Sequence, residues 1–130
     1  MFMIHTVEGG HIPAFYYKPA GAITPKVGLA LVESSGNLVL ATGTNKPTHI
    51  CMAEYAAAVS AGTIIPVIRV TEDITFETTC AAAFTSIKKG DRVTLHTDGA
   101  QVTATTTSGV ATVVEGDGVA SGEKVLVRFE

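Results

Sequence analysis

His49 and Cys51 stand two residues apart, and Cys80 and His96 follow further along the chain. These residue types bind zinc or make a thiolate nucleophile. On a strand, positions i and i+2 share a face, so His49 and Cys51 could offer two ligands together, with Cys80 and His96 as partners. The spacing argues against it. Zinc sites draw ligands from close pairs such as CxxC or HxxxH, and neither occurs here. The expectation is a buried cysteine beside a half-exposed histidine, with both thiols free and packed as small apolar groups. Nucleophilic pairing of Cys51 with His49, or of Cys80 with His96, has no further support.

Carboxylates fare no better. Glu72 and Asp73 are adjacent and Glu77 is close by, whereas paired acid–base carboxylates must face each other across a cleft. A solvated turn is the simpler reading. Gly116-Asp117-Gly118 lacks the spaced acids of a calcium loop. Glycine loops that hold phosphate lead into helices, and the glycines here lead into strand-like runs. No catalytic residue, metal or cofactor is expected.

Composition narrows the class. A chain of 130 residues makes one domain with a modest core, and 46% hydrophobic content with 16% charged content argues against disorder. Such a sparsely charged surface suggests that apolar area is covered by another subunit. A net charge of −3 with no basic stripe argues against nucleic-acid binding. No stretch approaches the roughly 18 to 20 apolar residues of a membrane span. The start, "MFMIHTVEGG", has no signal-peptide pattern, and two cysteines are too few for a disulfide scaffold. Synthesis in a reducing, intracellular compartment is expected.

The elements that position these residues read as strands. "VGLALVE" and "LVLAT" flank Ser34-Ser35-Gly36-Asn37 as a hairpin. "TIIPVIRV" is β-branched, and Pro66 within it predicts an edge or bulged strand. "DITFET" alternates cleanly. "TTCAAAFTSIKKG" is the best helix candidate, capped by Thr78 or Thr79 and stopped at Gly90. Strands are predicted at 92–97, 101–106, 110–115 and 124–129, with Asp98-Gly99 as the strongest hairpin signal. One device recurs: "KKGDRV" at 88 and "SGEKV" at 121 both set a glycine, an acid, a base and a valine in order, and "AGTIIPV" is a looser copy. Glycine supplies the tight turn, acid and base are exposed, and valine begins the inward face.

Residues 1–26 differ from the rest. Gly9, Gly10, Pro13, Pro19, Gly21 and Pro25 break any long element, and the aromatic run Phe15, Tyr16, Tyr17 lies among them. Two readings stay open: an extended arm whose aromatics dock on a neighbouring chain, or a terminus that wraps its own domain. The body, 27–130, carries seven threonines between 94 and 112, which suit either lateral packing in an assembly or a solvated sheet face. The fold class expected is mainly β, a small antiparallel barrel or compact sandwich with one or two short helices and an extended N-terminal arm.

From about Lys26 onward, the runs "KVGLALVESSGNLVLATGT", "AGTIIPVIRVTEDITFET", "KKGDRVTLHTDGAQVTATT" and "GVATVVEGDGVASGEKVLVRFE" resemble the small β-rich head decoration or cement proteins of tailed bacteriophages and prophages. That resemblance implies a non-enzymatic virion protein on the capsid surface, made in the bacterial cytoplasm and bound to the major capsid protein. It also implies a homo-oligomer, commonly a trimer, with an arm ordered on the capsid. Only the arm maps onto such a role, and Phe15, Tyr16 and Tyr17 are its chemical candidates for capsid or subunit binding. The alternative is a small ligand-binding or accessory β-barrel domain of a cellular enzyme. A ligand barrel needs a concave cavity with convergent polar groups, whereas a decoration protein needs a filled core and flat surfaces.

Overall fold

The computed structural model describes residues 1–130 and is mainly β, with almost no helix. Ten strands follow in chain order: β1 (Met3–Val7), β2 (Phe15–Ala20), β3 (Ala30–Ser34), β4 (Asn37–Leu40), β5 (His49–Cys51), β6 (Thr63–Arg69), β7 (Ile74–Thr79), β8 (Arg92–Val93), β9 (Ala111–Glu115) and β10 (Lys124–Arg128). A single 3-10 turn at Glu8–Gly10 is the sole helical piece. No helix is long and apolar enough to cross a membrane.

The strands form two five-stranded sheets. One is open, in the order β1-β7-β10-β9-β8, with every neighbouring pair antiparallel. The other closes as a barrel, β2-β4-β3-β5-β6, where the parallel contact Ala20↔Leu38 joins β2 to β4. Strand alternation divides the apolar residues between two cores. In β6, Ile65 and Val67 point into the barrel, while Ile68 points outward and is also buried. The barrel interior is filled by eight residues, among them Ala20, Leu31, Leu38, Cys51, Ile65 and Val67. The larger core lies between the sheets, where Ala30, Ile50 and Ile68 from the barrel wall meet Phe76, Val113, Val125 and Val127. Phe2 reaches into it and meets Phe129 edge-on, with ring centroids 5.3 Å apart.

Residues 1–26 are extended, and both strands they contribute are paired within the body. β1 lies against β7, and all six residues of β2 pair with β6. The "SSGN" and "TDGA" hairpins form as expected, with Ser34 opposite Asn37 and the His96 amide donating to Gln101 at 2.9 Å. The repeated device is also present and is more than a turn. Gly90 and Gly122 take φ of +93° and +85°, which a side chain would strain. The following acid reaches back in both copies. Asp91 accepts the Lys88 amide at 2.9 Å, and Glu123 accepts the Ala120 amide at 3.1 Å. Val93 and Val125 then enter the core.

Three expectations are corrected. Residues 78–90 form no helix. β7 runs through Thr79, the Ala81 amide donates to Val102 and the Phe84 amide donates to Val119, so these backbone groups are satisfied by segments distant in sequence. Pro66 lies in a strand paired on both sides, between β2 and β5. Its carbonyl accepts the Met52 amide, so its missing N–H points the same way, just past the end of β5 at Cys51. The strands predicted at 92–97 and 101–106 shrink to β8 and to isolated bridges joining Leu95 to Gly43 and Val102.

Candidate docking surface

β2 and β6 both carry exposed large apolar side chains. Residues directly opposite in an antiparallel pair share a face. Phe15↔Ile68, Tyr17↔Pro66 and Pro19↔Ile64 therefore lie on the outside of the barrel. Ile68 is sealed in the inter-sheet core, but Phe15, Tyr17 and Ile64 are 52%, 70% and 55% exposed. A strip of apolar surface thus runs from the rim of the larger core along the outer barrel wall. Aromatic side chains held on paired strands lose little freedom when a partner covers them, which suits an interface.

Tyr16 takes the opposite face. With Val67 and Ile65 directed inward, the same side of the strands carries Tyr16 and Lys18 on β2, Glu33 at the end of β3, His49 on β5 and Arg69 on β6. These polar groups cap the apolar filling at one end of the barrel. Lys18 approaches Glu33 at 3.9 Å, and the Arg69 guanidinium sits 5.9 Å from the centre of the Tyr16 ring. His49 is buried, its Nδ1 2.9 Å from the Thr48 hydroxyl. Burial lowers its pKa; nearby Lys18 and Arg69 act in the same direction and Glu33 opposes them. The half-exposed histidine expected beside Cys51 is corrected: with the barrel wall on both sides, His49 lies within the fold.

Thus, of the three aromatics singled out in the sequence, Phe15 and Tyr17 share a surface and Tyr16 belongs to the barrel mouth. Ile64 and Arg69 were missed. For Ile64 a signal existed: positions 64, 66 and 68 are all apolar, so the outward face of β6 calls for cover; nothing in the sequence singles out Arg69.

The other candidates do not converge. No group of three or more His, Cys, Asp or Glu side chains is arranged to hold a metal. Cys51 and Cys80 are free and buried, and burial pushes the Cys51 thiol up. Asp73 is held by the Thr71 hydroxyl and lies 3.4 Å from His11. Glu77 faces Lys124 at 3.6 Å across β7 and β10. His96 lies at 3.3 Å from Asp98 in the hairpin turn. Burial pushes the Asp98 carboxyl up, but hydrogen bonds from Gln101, the Ala100 amide and His96 outweigh it and hold it below its ordinary value. In the threonine-rich region, the Thr94 and Thr103 hydroxyls pair at 2.7 Å, while Thr105, Thr106 and Thr107 are exposed.

No family model and no curated protein matches the chain in sequence. A solved structure does match in fold: the N base of head fiber gp8.5 of bacteriophage phi29. The superposition has a TM-score of 0.53 at 16% identity and covers 92% of this chain and 95% of that one. The chain therefore shares its mainly β architecture, nearly end to end, with a domain of a phage head fiber.

Proposed function

We propose that this protein is a non-enzymatic structural component of a tailed-phage or prophage head, docking on the capsid surface as a homo-oligomer, in the form of a trimer. The observation that carries the reading is the whole-chain likeness to a phage head fiber base. It agrees in kind with the decoration-protein resemblance of the sequence. Two features of the molecule support it further. The barrel is packed with apolar side chains, leaving its interior no space for a small ligand, and this disfavours the accessory-barrel alternative. The outer wall carries the Phe15, Tyr17 and Ile64 strip, which a solitary protein gains nothing by exposing. In this reading that strip meets the major capsid protein or a neighbouring subunit.

Gold-labelled antibody against the protein, applied to intact particles of the phage or induced prophage that encodes it, tests the assignment. Labelled heads are expected. Particles that carry no label, from a lysate in which the protein is abundant, would overturn it.

A further inference from the structure

A second contact surface lies at the seam between the barrel and the open sheet. A cleft of about 360 Å³ is lined by His11, Ile12, Pro13, Tyr16, Arg69 and Thr71, with Ile74 among its apolar lining. Ile12 is 92% exposed on its rim. The charges around it are unevenly matched. Glu33, the carboxylate of the barrel mouth, is taken by Lys18, and Asp73 is engaged by Thr71 and His11. Arg69 has no carboxylate within 4.0 Å, and the Tyr16 ring lies beneath its guanidinium. A guanidinium placed on an aromatic face keeps its planar edge of N–H donors free for a carboxylate.

We infer that this cleft takes a polypeptide segment pairing an acidic side chain with an apolar one, the carboxylate on Arg69 and the apolar group against Ile12, Pro13 and Tyr16. Charge complementarity selects the occupant: one unmatched cation in an apolar cleft suits a single carboxylate. A polyanion such as nucleic acid would need a run of cations, which a chain of net charge −3 does not gather here. Resting on the head-docking reading above, the segment belongs to the shell protein, and the cleft supplies orientation where the apolar strip supplies area. Interfacial charge pairs fix register and partner choice in this way.

Two measurements test the cleft separately from the reading it rests on. Arg69→Gln and Ile12→Ser both alter exposed side chains and are expected to keep the melting temperature of the parent protein. In co-sedimentation with shells, Arg69→Gln is expected to weaken binding on the order of tenfold and to flatten its dependence on salt. Arg69→Lys restores part of the salt dependence. Shell binding by Arg69→Gln that equals the parent at every salt concentration overturns the inference and leaves the head-docking reading standing. The second measurement needs no shell. The capped peptide Leu-Asp-Leu is expected to shift the backbone amide resonances of Ile12, Tyr16 and Arg69, and its Leu-Lys-Leu counterpart is not. Equal shifts from both peptides, or none from either, also overturn it.

Discussion

His49 is a basic side chain held where protonation is disfavoured. It is buried at the barrel mouth, and both neighbouring cations oppose a further positive charge. In the unfolded chain it regains its ordinary pKa of about 6.5. Because the folded value is lower, the unfolded state binds the proton more readily between the two values. Stability is therefore fully present above the ordinary histidine range and declines as pH falls through it, levelling off below the folded value. Melting temperatures recorded from pH 8 to pH 5 are expected to fall on the acid side, and His49→Gln is expected to lose that step. A His49→Gln profile with the same acid decline would place its cause elsewhere. The glycine device gives a second check at this scale. Gly122→Ala forces a side chain into a left-handed backbone and is expected to cost about 1–2 kcal/mol in denaturant unfolding. An unchanged midpoint would mean that the turn relaxes freely.

Among the elements, β2 has the most consequence. It closes the barrel by pairing β6 along its whole length and touching β4 at Ala20. Removing residues 1–20 takes away β2, β1 and the Phe2 anchor on Phe129, leaving β4 and β6 with open edges and the inner core exposed. The truncated chain is expected to lose its cooperative thermal transition, monitored by far-ultraviolet circular dichroism. A truncated chain that melts cooperatively with an unchanged β spectrum would show instead that the segment is a detachable arm. This element also shows where the sequence was legible. Turns were readable because glycine and its following acid act locally, as at Gly90-Asp91 and Gly122-Glu123. Alternation made β7 and β10 readable, since each has one face in the core. The 78–90 segment was not readable: its alanines favour a helix locally, and Cys80, Phe84 and Ile87 even recur at helical spacing. Long-range bonds to Val102 and Val119 decide its conformation, and no local pattern reports them. For the same reason Phe15, Tyr16 and Tyr17 read as one cluster, although the strand sends Tyr16 to the other face.

At the scale of the whole molecule, a packed barrel joined to an open sheet presents a rigid body with apolar side chains on its outer wall. Such a body is suited to being held by neighbours. In the proposed function a shell or further copies of the chain cover the strip, and the proposed trimer predicts a solution mass three times that of the 13.4 kDa chain. Light scattering coupled to size exclusion reads this directly, and a monomer at micromolar concentration would confine association to the shell surface. The most direct test is co-sedimentation of the purified protein with mature shells lacking it. Saturable binding at a fixed ratio to the major capsid protein is expected. The double variant Tyr17→Ser, Ile64→Ser, which alters only exposed side chains, is expected to stay folded and to remain in the supernatant. Failure of the parent protein to sediment with shells, or binding by the double variant at full occupancy, would contradict the proposal that this surface fastens the protein to a phage head.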